Sequence, residues 1–535
     1  MNRLKIILSI LVLFGALAAC DTATPAPTAT LAPPTDTPIP TATLTPTPAP
    51  TATATATATP TPSRTPTLAP TATPTALAVS RLFFEHPINV LPEQTLLARI
   101  KPWQYLADPA DEIPVAQMIS PRRTPTIRLT RAQAEEDTRY FFRLLKHGYG
   151  GYGMFNQGAR IEHAQDAILQ EIAPNDALSS GLLASIIKKH LAFIQDCHLD
   201  VGDEDFFTTT DYYFSEQYNF FKEGERFWFW GARGKTFVES LNGRNPNAFI
   251  QRVLNREGDP VYQLSVASYG TPPTLTLDTI AADGARQKEL FAWIKSPALT
   301  DRTVFASSLE QGIPVIVSRS FAQDPDALGK FQVDAEARRT DPVLILDIRR
   351  NSGGSISVPR VWANNLLGRT PPFPFIATEL ETRTGLAGKV NYSYTTTTPI
   401  QLDAIFKDWN IGAQQRRWST IRVPEYPLIK WHQLIVVLMD NDTASAGELM
   451  IGYLRQLENV VFIGENSAGC LTVGAVSLYY LPNSGLPIRF GSELFLTPNL
   501  AEFESKGFAP DLWVPSSKAL EYALSAIKKG WLQPK

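Results

Sequence analysis

The 535-residue chain holds only three cysteines, Cys20, Cys197 and Cys470, so a disulfide framework is not the source of its fold. Excess charge is also missing. Lys+Arg 49 against Asp+Glu 52 leaves −3 and a pI near 6.2, which provides no general pull toward nucleic acid or anionic lipid, and no basic patch stands out to replace it. HExxH, paired CxxC and EF-hand spacings are absent, so no metal is indicated. No GxxxxGK[ST] loop occurs, and no cofactor is implied. Apolar runs of the ~18 residues that a membrane helix needs do not occur either. What is present is 44% hydrophobic and 10% aromatic residues, enough for a sizeable core, together with 43 prolines that are unevenly spread.

Residues 1–20 read as a secretory signal. Arg3 and Lys5 supply the charged start, Ile6 to Phe14 is apolar apart from Ser9, and Leu17-Ala18-Ala19-Cys20 closes the segment. That closing tetrapeptide resembles a bacterial lipobox, in which the cysteine is acylated and becomes the first mature residue. The expectation is therefore a protein held by lipid on Cys20 at the extracytoplasmic face of a bacterial cell membrane. Residues 21–78 collapse to Thr, Ala and Pro, with 14 prolines between 21 and 74 and no aromatic side chain between 21 and 77. Such a stretch cannot bury enough apolar surface to offset chain entropy, and its prolines keep it extended as a semi-rigid tether.

The rest divides by pattern into three parts. In 79–205, Thr130-x-x-Gln133 is a capping box predicting a helix to about Lys146, and further helices are expected at 161–172 and 181–195. This is an N-terminal helical subdomain. Residues 206–300 carry short strand patterns, among them Phe227 to Trp230, Phe237 to Leu241 and Val261 to Val266. Leu241-Asn242-Gly243-Arg244 resembles a stretch of bacterial PDZ modules, yet Asn-Gly turns are common in strand-rich domains. A PDZ-like module and an unrelated β insertion both stay open. In 301–535 near-continuous apolar strands at 314–317, 343–348, 434–439 and 460–463 alternate with helices at about 324–338, 356–367 and 446–457, an α/β pattern.

Chemistry concentrates in two places. Leu434 to Met439 runs through Asp440-Asn-Asp-Thr-Ala444 into Ser445-Ala446-Gly447-Glu448 and a helix. A serine at such a strand-to-helix junction exposes its hydroxyl beside unpaired backbone N–H groups, which suits a nucleophile, with the Ala446 amide aiding an oxyanion. It also suits a plain helix cap, and this segment alone does not choose. The second place is Asp347-Ile-Arg349-Arg-Asn351-Ser-Gly353-Gly354, a buried strand entering a turn whose glycines can bring backbone N–H groups close to a substrate.

Taken in order, "DxRxNxGG", then "(T/S)ASxxE", then Ile463-Gly464-Glu465, the chain resembles the C-terminal processing (tail-specific) protease family, including its tricorn-like branch. The resemblance runs from roughly 130 to 515 and is strongest over 313–515. It implies an α/β core of ClpP/crotonase-like β-α superhelix type, protein or peptide substrates, Ser445 as nucleophile, and Gly354 and Ala446 as oxyanion donors. The lysine that Ser-Lys members carry at the end of "GExxxGK" is Cys470 here. In its place, Phe193-Ile-Gln-Asp196-Cys197-His198 resembles the segment by which lysine-free members deliver a catalytic histidine, so His198 is the expected base. Glu504, ahead of Gly507-Phe-Ala-Pro510-Asp511, is the expected orienting carboxylate. Glu502, Glu448 and Glu465 compete for that role, and Glu448 reads better as a helix-start residue favoured by the dipole. The alignment also puts Cys197 and Cys470 near one site, where a disulfide formed in an oxidising compartment and two buried free thiols both stay open.

These readings converge on a lipid-anchored extracytoplasmic serine endopeptidase that works through an acyl-enzyme. The rival reading is a catalytically silent peptide- or ligand-binding protein that kept the fold, motivated by the missing lysine.

Overall fold

Every residue of Leu434–Met439 is apolar, and every one is buried. Leu434, Val436 and Leu438 face one apolar cluster, with Val461, Ile463, Tyr522 and Ala526. Ile435, Val437 and Met439 face another, with Phe331, Trp362 and Leu449. A strand read on both faces needs layers on both sides, which is why its sequence does not alternate. The computed structural model describes residues 82–535 apart from 83, 87, 120–125, 209, 273, 394–415 and 422. These lie in one unit, Thr75–Lys535. The expected signal over 1–20, the tether over 21–78 and Cys20 fall outside the described residues.

Leu434–Met439 is central in a parallel set. It pairs on one side with Val343–Asp347, which pairs with Ile313–Val317, and on the other with Val460–Gly464, which pairs with Leu512–Trp513. Ala306–Glu310 closes one edge in antiparallel register. Helices Pro325–Ala337, Ser357–Leu367 and Ala446–Leu454 contribute to the cluster on one face, and Ala519–Lys528 to that on the other. The result is a mixed α/β, sheet-rich fold.

The strand patterns of 206–300 form antiparallel strands, including Arg226–Gly231, Gly234–Leu241 and Pro260–Ser268. Asn242 (φ 48°) and Gly243 (φ 71°) make a tight turn in which Leu241 and Arg244 exchange backbone hydrogen bonds of 3.0 and 2.8 Å. Two successive positive φ angles favour Asn-Gly there. This sheet continues into the core, because Val253 pairs in parallel with Trp513.

The capping box at Thr130 and Gln133 forms and opens the helix Arg131–Gly148. With Arg160–Ile172 and Ser180–Leu191 it packs on a second sheet that includes Ile376–Glu381, Val473–Tyr480 and Pro487–Leu496. The last of these helices stops at Leu191, short of the expected 195. Beyond it the Asp196 carboxylate takes the His198 N–H at 2.8 Å and the Tyr149 hydroxyl at 2.8 Å. Local side-chain bonds of this kind compete with helix continuation. Asp200–Val201 then pairs with Arg489 and Ile488, so the 196–201 segment is carried onto a strand of the late part of the chain. Among the described residues no helix is long and apolar enough to cross a membrane.

Candidate active site

Ser445 stands between the buried strand and the helix Ala446–Leu454 with φ 52° and ψ −119°. An L-residue with positive φ is strained, and such strain persists only where the surroundings over-determine the backbone. They do so here. The Ser445 N–H donates to Cys470 O at 3.0 Å and Glu448 Oε2 at 3.1 Å, and the Ala444 N–H donates to Asn351 O at 2.9 Å. Gly353 (φ 95°) is pressed so close that a Cβ on it would lie 2.8 Å from both Ser445 Cβ and Ala446 N. The "NxGG" turn and the serine junction are thus one packed unit, which explains glycine at 353.

Gly354 (φ 135°) has its own constraint, since a Cβ there would come within 2.3 Å of Phe321 C. Its neighbours Gly353 and Ser355 bond the Phe321 backbone, while neither the Gly354 nor the Ala446 N–H donates to a described residue. Two unpaired donors therefore flank the serine. Asp347, at the end of the strand that leads into this turn, is fully buried. Burial alone would raise its carboxyl, but hydrogen bonds and charge from Arg349 and Arg319 outweigh that and hold it at about 2.

The imidazole of His198 meets the serine, with Nε2 3.2 Å from Ser445 Oγ. His198 Nδ1 lies 3.7 Å from Asp196 Oδ1, and Asp196 has no solvent exposure. Cys197 and Cys470 form a disulfide with Cα atoms 5.6 Å apart across a sequence separation of 273. It links the residue before the imidazole to the residue whose carbonyl accepts from Ser445 N–H.

Glu504 was expected beside the imidazole, and it makes no hydrogen bond or ion pair with His198. Its Oε2 accepts from the Thr472 N–H at 2.9 Å and its buried Oε1 has no hydrogen-bond partner. It comes close to Asp196 and Cys197 instead, oxygens and sulfur all lying within 4.8 Å of one another. Burial, and then the Asp196 charge, hold its carboxyl well above the usual range. The atoms next to Nδ1 are instead Cys197 Sγ at 3.5 Å and Asp196 Oδ1 at 3.7 Å. Asp196 was legible in principle, two residues before His198 in the segment that drew attention.

Glu448 does more than favour a helix dipole. Its carboxylate accepts from Ser467 Oγ (2.7 Å), Gly469 N (2.7 Å), Cys470 N (2.8 Å) and Ser445 N (3.1 Å). Burial pushes it up to about 7, partly offset by those donors. Glu465, also buried, is raised to about 8 and takes hydrogen bonds from Ser296 Oγ and from Ser516 N at 2.8 Å. Neither touches His198. A cavity of about 550 Å³, lined by Trp103, Phe155, Thr472, Leu500, Phe503 and Glu504, opens on the Glu504 side.

A strained serine, an imidazole in reach of it and free backbone donors are the parts that acyl transfer at a serine requires. Residues 313–514 match the model of Peptidase family S41. Solved structures with likeness to the chain include mature CPAF (14% identity, TM-score 0.40, 75% of this chain and 98% of that one). Others are the photosystem II D1 C-terminal processing protease (12%, 0.33, 75% and 99%) and the tricorn protease (13%, 0.33, 75% and 37%). No curated protein matches the sequence. Structural likeness at this level adds nothing to the family match.

Proposed function

We propose that the protein is an endopeptidase of tail-specific, tricorn-like type that cleaves proteins or peptides through an acyl-enzyme, with His198 replacing the missing lysine as base. The observation that carries this is the 3.2 Å separation of His198 Nε2 and Ser445 Oγ, within reach for proton transfer in a protein without substrate. Ser445 Oγ attacks the scissile carbonyl carbon while Nε2 takes its proton. The developing oxyanion is held by the N–H groups of Gly354 and Ala446. The imidazolium returns the proton to the leaving amine, and water, activated by the same nitrogen, then releases the acyl group. For Nε2 to accept, Nδ1 must carry the ring proton, and the buried Asp196 carboxylate favours that tautomer and the imidazolium that follows.

The lipobox-like Leu17-Ala18-Ala19-Cys20 supports a lipid anchor on Cys20 at the extracytoplasmic face, with residues 21–78 as the tether. The Leu241-Asn242-Gly243-Arg244 turn supports a PDZ-like role for the β-rich part, and the parallel strands with their helices support a ClpP/crotonase-like core.

Covalent labelling by a fluorophosphonate tests the chemistry. The protein is expected to label at Ser445, and Ser445→Ala to abolish the adduct. Labelling that survives the substitution would remove Ser445 as nucleophile, and no labelling of the folded protein would favour a silent peptide-binding role.

A further inference from the structure

Cys197, His198 and Cys470 offer two sulfurs and a ring nitrogen that all lie within 4.8 Å of one another, at the base of the site just described. We propose that reduction of the Cys197–Cys470 disulfide converts this corner into a zinc site, ligated by both cysteines and His198, that switches the peptidase off.

The donor chemistry and the spacing both argue for zinc. Two thiolates and an imidazole form a set that suits Zn²⁺, which takes four ligands in tetrahedral array. With Zn–S near ~2.3 Å and Zn–N near ~2.1 Å, the sulfur-to-nitrogen edge of such a tetrahedron is about 3.6 Å. Cys197 Sγ stands 3.5 Å from His198 Nδ1. Opening the disulfide lets Cys470 Sγ swing about its Cα–Cβ bond to take a third corner, with Cα atoms that are 5.6 Å apart. The fourth position is left to water, since Asp196 does not lie within the Cys197–His198–Cys470 group.

The switch follows from which nitrogen the metal takes. Nδ1 faces Cys197, and Nε2 faces Ser445. A neutral imidazole bound through Nδ1 carries its one proton on Nε2, so its lone pair is spent on the metal and nothing is left to accept the Ser445 proton. The serine then loses its base without any movement of its own. In the oxidised protein the sulfurs are bonded to each other and cannot ligate, so zinc has no thiolate to hold.

The redox step balances. A dithiol gives two electrons and two protons to the S–S bond and leaves as its disulfide; a phosphine gives the two electrons, while water supplies the two thiol protons and the oxygen of the phosphine oxide that leaves. Zinc then displaces one proton from each thiol.

The inference rests on reading His198 as the base, and its test separates the two. The full chain is reduced with a phosphine, freed of reagent under nitrogen and given one equivalent of zinc chloride. Metal retained after gel filtration is measured by atomic emission, and fluorophosphonate labelling is measured beside it. The reduced protein is expected to retain about one zinc per chain, as a single tetrahedral site requires. Zinc should lower the labelling rate of the reduced protein by about 10²-fold or more, the contribution of a general base, and a chelator should restore the rate of the reduced, zinc-free protein. The oxidised protein should retain none and label at the same rate with or without zinc. Cobalt(II) in place of zinc should give the thiolate-to-metal absorption band in the reduced protein and lose it in Cys470→Ser. No zinc uptake on reduction, or equal uptake by Cys470→Ser, would overturn the site. Uptake that leaves labelling unchanged would overturn the switch. If the oxidised protein never labels, the proposed peptidase chemistry fails, while metal content and the cobalt band still decide the site.

Discussion

His198 Nε2 lies 3.2 Å from Ser445 Oγ although 247 positions separate them in sequence. A hydrogen bond between two such distant loops is not produced by either loop alone. It depends on Val201 pairing with Ile488 and on the strain imposed at Ser445 by its neighbours. Removing either partner should therefore abolish turnover without unfolding the protein. Ser445→Ala and His198→Ala are each expected to lower kcat on a peptide substrate by about 10⁴-fold or more, since members of such a unit fail together. The Ser445,His198 double variant should be no worse than either single one. A double variant that multiplies the two losses would mean that the residues act independently.

Asp196 and Glu504 divide the carboxylate roles differently from the order in which the motifs suggested them. Asp196 is the one beside Nδ1, so Asp196→Asn should cost up to about 10⁴-fold in kcat, as loss of an orienting carboxylate does. Burial raises the Glu504 carboxyl well above the usual range, and a glutamine oxygen can still accept the Thr472 N–H. Glu504→Gln is accordingly expected to stay within about tenfold of the parent. Steady-state kinetics on both variants check this, and a greater loss in Glu504→Gln would return the orienting role to Glu504.

Much of this arrangement could be read from sequence where a residue's neighbours along the chain set its environment. Leu434 to Met439 announced a buried strand, Thr130 and Gln133 announced the helix start, and the two glycines announced a turn that brings backbone N–H groups close to a substrate. What could not be read was contact at long range. The four donors to Glu448 come from Ser445, Ser467, Gly469 and Cys470, a convergence that no local pattern displays. The same holds for Glu504, whose spacing before Gly507 fits a motif while Cys197 and Asp196 are what lie beside Nδ1. Local hydrogen bonding also shortened the third helix at Leu191, where apolar periodicity alone carries it to Ile194.

The disulfide should support stability as well as alignment. It closes a loop of 273 residues, and loss of a native disulfide costs about 2–5 kcal/mol by restoring freedom to the unfolded chain. Cys197→Ser,Cys470→Ser is expected to lower the urea midpoint and to steepen the slope, because the unlinked unfolded chain exposes more surface. Its kcat should fall more than its KM rises, because the link joins the residue before His198 to the residue that receives the Ser445 N–H. A variant with the parent's midpoint would show that packing alone holds the two segments.

Gly354 tests the donor turn. A methyl group there would lie within 2.3 Å of Phe321 C, and φ 135° is closed to alanine. Gly354→Ala must therefore rotate the peptide that carries the unpaired N–H. Loss of one oxyanion donor is worth about 10²–10³-fold in kcat. The expected result is that loss with a melting temperature lowered by a few degrees, checked by calorimetry beside the kinetics. Full activity in a stable Gly354→Ala protein would exclude this N–H from the oxyanion site.

Buried carboxyls set opposite limits on stability with pH. Asp347 is held at about 2 against an ordinary value of 3.8, so its ionised form favours the fold. That contribution is whole above the unfolded value and is lost as pH falls through about 2. Glu448 and Glu465 are raised to about 7 and about 8 from 4.5, so their protonated forms favour the fold. Their contribution is whole below 4.5 and is lost as pH rises through 7 to 8. Melting temperature should therefore peak in mildly acidic buffer, lie lower at pH 9, and drop again below about pH 4. Both hydrogen bonds to Glu465 fall on Oε1, which the amide oxygen of a glutamine can also accept. Glu465→Gln should consequently fold and flatten the alkaline limb while leaving the acidic limb unchanged. An alkaline limb as steep as the parent's would assign that loss to other groups.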